Sequence, residues 1–125
     1  MSPRLRRLAG IAALGVALGL IALAYRGPGR ALVRGHVGDT GATMVVFALV
    51  STAWRGPGWA RAALTAALAL AIELRQVVAT APAGVVGAMT LGSTFDGWDL
   101  IAYGVGIAAA WSIERLAAGS AQVRR

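Results

Sequence analysis

The sequence predicts an all-α membrane protein that crosses a bilayer about four times. Its 125 residues are 58% hydrophobic and only 14% charged, and the mean hydropathy is +0.69. A soluble domain carries about 25% charged residues, so this chain has too few polar groups to cover a water-facing surface. The apolar residues also fall into long blocks rich in alanine and glycine, which let helices pack closely in lipid. A single transmembrane domain over residues 1–125 is therefore expected.

The first apolar block, residues 8–25, is long enough to span a membrane as a helix. At about 1.5 Å per residue it measures about 27 Å, close to the hydrocarbon thickness of about 30 Å. Gly15 and Gly19 form a small-xxx-small pair that favours helix packing. Arg4, Arg6 and Arg7 before the block, with Ala22-Leu23-Ala24 at its end, also fit a cleaved signal peptide. The block exceeds the usual signal-peptide core of about 7–15 residues, which favours a retained helix.

The other predicted helices cover residues 38–54, 60–80 and 99–116. Gly27-Pro28-Gly29 breaks the chain before the second, and Asp39 is expected to be its N-cap. Pro82 ends the third helix, and Asp96 is expected to cap the fourth. The apolar segment 83–92 is too short to span a bilayer, so a half-helix, a re-entrant piece and a simple extension all remain open.

The basic residues are distributed unevenly between the two sides that four helices would create. All twelve are arginine, and the net charge is +7. Because they lie between apolar blocks, anionic lipids are the expected partners and nucleic acid is not. Basic loops tend to stay cytoplasmic, so the distribution predicts an inner-membrane protein with both termini in the cytoplasm. The more basic side holds Arg4, Arg6, Arg7, Arg55, Arg61, Arg115, Arg124 and Arg125, against Arg26, Arg30 and Arg34 on the other side.

Five polar residues at membrane depth form the predicted ligand-binding site: Asp39, Glu73, Gln76, Asp99 and Tyr103. A carboxylate at this depth costs about 2.5–3.5 kcal/mol, so Glu73 should face a bundle interior and have a companion. Gln76 shares its helix face at i+3, and Tyr103 follows Asp99 at i+4. The alternative for each is structural: helix capping for the aspartates, an interfacial position for Tyr103, and a packing contact for Gly106 nearby.

Arg26, Arg30 and Arg34 are spaced by four and could bind a phosphate or carboxylate, although contact with lipid headgroups is the favoured explanation. Glu114 and Arg115 are expected to form a solvated surface pair. There is no cysteine and only one histidine, so no metal site or cofactor is expected. No catalytic motif for nucleotide binding, zinc hydrolysis or a serine nucleophile is present.

The polar residues occur in an order that resembles a known family: Gly38-Asp39, Glu73-x-x-Gln76, Leu91-Gly92-x-x-Phe95 and Asp99-Leu100-x-x-Tyr103-x-x-Gly106. Small bacterial membrane proteins of domain-of-unknown-function family 2809 show a similar order. The resemblance implies a polytopic helical fold and singles out the same five site residues, but it carries no activity. Members often have a charged residue before the Leu-Gly motif, whereas residues 79–89 here offer only Thr80 as a polar side chain.

Three functional hypotheses follow. The favoured one is a non-enzymatic membrane protein whose polar site binds a small polar solute, a proton or a lipid headgroup. The second is an accessory or scaffold subunit whose polar residues only fix helix packing, alone, as a homo-oligomer or with a partner membrane protein. The third is an enzyme acting on a lipid-linked substrate with the carboxylates as acid and base. It ranks last because no nucleophile or metal cluster accompanies them.

Overall fold

The computed structural model of the chain describes the backbone of residues 1–80 and 97–123, and the side chains of residues 1–75 and 97–120. The regular secondary structure of these parts is helical, with no strand, which confirms the all-α class. The apolar segment 83–92 and the predicted cap Asp96 lie outside the described residues. The helices are α1 (Pro3–Ala24), α2 (Arg30–Leu32), a π-helical turn (Val33–Val37), α3 (Gly38–Ala53), α4 (Gly58–Thr80) and α5 (Gly97–Val123).

α1 begins five residues before the apolar block because its cap lies ahead of the arginines. Ser2 is the N-cap, and its Oγ accepts a hydrogen bond from the Leu5 backbone N–H at 3.2 Å. Pro3 occupies the first turn, where its missing N–H costs nothing. Arg4 and Arg7 are therefore held on a helix and can reach neighbouring helices.

The second helix begins at Arg30 rather than near residue 38, which corrects the prediction for Asp39. Gly29 adopts a left-handed conformation at φ +69°, and helical backbone then continues through the π-helical turn into α3. Val37 and Gly38 are themselves helical, so Asp39 is not an N-cap. Residues 30–37 include Arg30, Arg34 and His36, but nothing among them stops a helix. From Arg30 to Ala53 the helix measures about 36 Å at about 1.5 Å per residue.

The four long helices run alternately up and down, with α3 in contact with each of the others. At one end, here called the Arg61 end, the start of α1 meets the end of α3 and the end of α5. Arg4 bonds the Ser51 carbonyl, and Arg7 donates to the Ala117 carbonyl at 3.0 Å. At the other end, here called the Glu73 end, Thr40 Oγ1 donates to the Ala102 carbonyl at 3.2 Å and joins α3 to α5.

The helices approach each other most closely at glycines, where no side chain separates their backbones. A Cβ added to Gly15 would lie 2.5 Å from the Gly41 carbonyl oxygen, and one added to Gly41 would lie 2.5 Å from that of Gly15. A Cβ on Gly106 would lie 2.6 Å from the Thr40 carbonyl oxygen, so Gly106 is a packing contact between α5 and α3. The buried apolar core between the two ends consists of Leu8, Ile11, Met44, Phe47, Ala48 and Ala110.

Two helices of the described residues are long and apolar enough to cross a membrane: Pro3–Ala24 and Gly97–Ser120. Only 22% and 28% of their apolar windows are buried within the molecule. α3 by itself has 16 residues, and the described part of α4 contains Arg61, Glu73 and Arg75. Length and composition thus mark two of the four predicted spans.

Candidate functional site

A cavity of about 140 Å³ opens between α3, α4 and α5 at the Glu73 end. The three helices can enclose it because small residues, among them Ala42 and Ala69, form part of its wall. Each of the three helices contributes one ionisable side chain to it: Asp39 on α3, Glu73 on α4 and Tyr103 on α5. Thr43, one helical turn after Asp39, adds a hydroxyl group. The complete lining is Asp39, Ala42, Thr43, Val46, Ala69, Ile72, Glu73 and Tyr103.

Glu73 has a hydrogen-bonding partner on a neighbouring helix, as the sequence predicted. The Tyr103 hydroxyl donates a hydrogen bond to Glu73 Oε2 at 2.7 Å. Tyr103 is only 9% exposed, so this bond forms away from bulk solvent and joins α4 to α5. Phenol-to-carboxylate bonds of this length are charge-assisted when the carboxylate is ionised, and stronger than neutral bonds.

Asp39 brings a second carboxylate to the same cavity. It lies inside helical backbone and is half-buried, and Glu73, Asp99 and His36 are all within electrostatic reach of it. Its neighbour Thr40 fixes this part of α3 by donating to the His36 carbonyl at 2.8 Å as well as to α5. Two carboxylates therefore share a small, partly apolar space.

Asp99 belongs to the surroundings of the cavity rather than to its wall. It lies in the first turn of α5 and is half-buried, and its charge acts on both Asp39 and Tyr103. The side chain of Gln76 lies outside the described residues. Across the described chain, no three histidine, cysteine, aspartate or glutamate side chains are grouped so as to hold a metal ion.

Arg26, Arg30 and Arg34 do not form one helical stripe. Arg26 precedes the break at Gly29, whereas Arg30 and Arg34 follow it on helical backbone, and all three are exposed. Arg34 alone lines a groove of about 370 Å³ against α1, whose other walls are almost entirely apolar.

The most extensive polar network of the described residues was missed by the sequence reasoning. Arg61 Nη1 donates to Glu114 at 2.9 Å and 2.8 Å and to Ser51 Oγ at 2.8 Å, and Arg61 Nε donates to the Gly56 carbonyl at 3.0 Å. Arg61 and Glu114 are each only 9% exposed. The Arg61 guanidinium also lies 5.6 Å from the centre of the Phe47 ring. This network joins α3, α4 and α5 at the Arg61 end.

The prediction that Glu114 and Arg115 form a solvated pair is wrong, because Glu114 is buried and bonded to Arg61. Arg115 is exposed and stacks on the Trp111 ring at 5.5 Å. A signal was present in the sequence: Glu114 follows Ala102, Gly106 and Ala110 at intervals of four. Small residues at that spacing mark the packed face of a helix, and a carboxylate on such a face needs a partner.

The part of the chain that lines the cavity also matches a known protein family. The family described as "Protein of unknown function (DUF2809)" matches residues 29–107, a range that contains every residue lining the cavity. No curated protein and no solved structure matches the chain significantly. The match covers more than half of the sequence and confirms the resemblance seen in the order of its polar residues. The chain belongs to the DUF2809 family.

Proposed function

We propose that this chain is a polytopic inner-membrane protein in which α1, the helix Arg30–Ala53, α4 and α5 each cross the bilayer. Large apolar side chains are exposed on all four, such as Leu20, Leu49, Ile72 and Ile101, each more than half exposed. A soluble protein of this size rarely carries so much exposed apolar surface, whereas lipid tails or a second copy of the chain would cover it.

The proposed orientation places the Arg61 end in the cytoplasm. The start of α1, the end of α5 and the turn between α3 and α4 lie at that end. So do six arginines of the described residues: Arg4, Arg6, Arg7, Arg55, Arg61 and Arg115. The excess of arginine on cytoplasmic loops supports this direction. In this orientation the cavity at the Glu73 end opens near the outer surface of the inner membrane.

The cavity binds a small solute that carries a positive charge or several hydrogen-bond donors, or a proton in its place. The observation behind this proposal is that Asp39 and Glu73 line one cavity, and that none of the described basic side chains lines it with them. Two carboxylates side by side favour a bound cation or proton, which relieves their mutual repulsion. A volume of about 140 Å³ suits several water molecules or a small organic ammonium ion.

One observation favours a scaffold role instead. The bond between Tyr103 and Glu73 pairs two polar groups from neighbouring helices with each other. A pair of this kind can hold α4 and α5 in register without any ligand. The two functions predict different results for the same substitutions.

The test is isothermal titration of the purified protein in detergent with methylammonium. The binding site predicts saturable binding by the wild type and a loss of at least tenfold in affinity in Glu73→Gln, because a buried charge partner is removed. Arg75→Gln is the matched control, since Arg75 lies two residues away on α4 and is exposed. Its affinity should equal that of the wild type.

Thermal unfolding of the same variants separates the two functions. Binding that is lost in Glu73→Gln, with little change in the unfolding midpoint, supports the site. Absence of binding by the wild type, with a clearly lowered midpoint in both Glu73→Gln and Tyr103→Phe, supports the scaffold. If the wild type binds no methylammonium and neither substitution alters stability, both proposals are wrong.

A further inference from the structure

An open groove of about 440 Å³ lies at the Arg61 end, on the opposite side of the apolar core from the cavity discussed so far. α1, α4 and α5 each contribute to its wall. Arginine and tryptophan side chains make up most of its larger groups. The lining consists of Arg7, Gly58, Trp59, Arg61, Trp111, Glu114, Arg115 and Ala118.

The groove carries an excess of positive charge. Its one carboxylate, Glu114, is bonded through both oxygens to Arg61. This is the one ion pair within the described residues, so Arg7 and Arg115 have no acidic partner there. The groove therefore presents two guanidinium groups whose charges no carboxylate of the described residues neutralises.

The hydrogen-bonding capacity of Arg7 is also only partly used. Its Nη1 donates to the Ala117 carbonyl, while its Nε is buried and has no acceptor among the described residues. Arg115 makes a stacking contact with Trp111 that fixes its position and leaves its N–H groups available. Guanidinium groups held in this way suit the oxygens of a phosphate group.

Trp59 and Trp111 form the aromatic part of the groove's wall. The Trp111 indole packs on bare backbone, since a Cβ added to Gly58 would lie 2.4 Å from Trp111 Nε1. Trp59 is exposed at the rim, as expected for tryptophan at the level of lipid headgroups. We propose that this groove binds a phosphate group between Arg7 and Arg115, either in the headgroup of an anionic phospholipid or as free phosphate.

This proposal does not depend on what the Glu73 cavity binds. Native mass spectrometry of the detergent-solubilised protein, titrated with phosphatidylglycerol, tests the lipid source. Isothermal titration with inorganic phosphate tests the soluble source. For whichever probe binds, the wild type should show one saturable site, and Arg115→Gln should weaken it about tenfold through loss of a charge-assisted contact.

The control is Arg6→Gln, which removes the same charge from the same end of α1 but from an exposed side chain outside the groove. It should bind as the wild type does. Arg7→Gln should weaken binding like Arg115→Gln, and because Arg115 is exposed, its variant remains informative even if Arg7→Gln fails to fold.

Binding of phosphatidylglycerol alone with this pattern supports the lipid source, and binding of inorganic phosphate with it supports the soluble source. Equal losses in Arg6→Gln and Arg115→Gln would show attraction to net charge without a site and overturn the proposal. Absence of saturable binding of either probe by the wild type would also overturn it.

Discussion

Replacing Glu114 by leucine is expected to destabilise the protein strongly, whereas replacing Glu114 and Arg61 together is not. In the single variant the Arg61 guanidinium stays buried, with Ser51 Oγ and the Gly56 carbonyl as its remaining hydrogen-bond acceptors among the described residues. Removing one member of a buried ion pair costs about 3–5 kcal/mol, because the remaining charge is left without compensation.

The double variant Arg61→Met with Glu114→Leu removes both charges and retains much of the side-chain volume. Buried pairs replaced in this way are often neutral or more stable by about 1–4 kcal/mol. Ser51 Oγ and the Gly56 carbonyl would each lose a donor, which offsets the gain by about 1 kcal/mol for each bond. The double variant should therefore unfold at nearly the same denaturant concentration as the wild type.

The measurement is equilibrium unfolding in mixed micelles of mild detergent and dodecyl sulfate, followed by circular dichroism. Arg115→Gln serves as the control because Arg115 is exposed beside the pair, and it should lie within about 0.5 kcal/mol of the wild type. A cost below about 1 kcal/mol for Glu114→Leu, or a double variant weaker than the single one, would refute the idea that the pair is buried and mutually dependent.

Two further substitutions test the helix contacts by the same unfolding measurement. Gly41→Ala places a methyl group against the Gly15 backbone and should cost about 1–3 kcal/mol of stability as α1 and α3 separate. The control Gly104→Ala has open space around it and should be neutral or up to about 1 kcal/mol more stable than the wild type. Equal effects of the two substitutions would contradict the close crossing of α1 and α3. Tyr103→Phe should cost about 0.5–1.5 kcal/mol by removing its bond to Glu73. In a Glu73→Leu background, which lacks the acceptor, the same substitution should have a negligible further cost, and fully additive costs would exclude the bond as the reason.

The apolar blocks predicted the helices well because a helix that crosses a bilayer needs a long run of apolar residues. The boundaries were less predictable. The arginines and the histidine between Arg30 and Val37 suggested a connection. Helical backbone nevertheless continues from Arg30 to Ala53, because the residue that breaks the helix is Gly29, just before this stretch. Asp39 therefore lies within helical backbone, where a cap was predicted.

The two polar sites differ in how far the sequence could reveal them. Glu73 and Tyr103 stand out because each is a polar group within or beside an apolar block, and their pairing needs only two helices with opposite directions. Arg61 and Glu114 lie near block ends, where charged residues are ordinary. Their burial depends on which face of each helix packs inward, and that becomes visible only when the four-residue spacing of small residues on α5 is considered.

The packed middle of the bundle restricts what a single copy can do with a bound solute. Leu8, Ile11, Met44, Phe47, Ala48 and Ala110 fill the space between the two ends with hydrocarbon, so within the described part of the chain a hydrated ion meets no continuous polar route. A solute captured near Glu73 would leave by the opening through which it entered. Translocation would require the helices to part or a passage along the boundary between neighbouring copies.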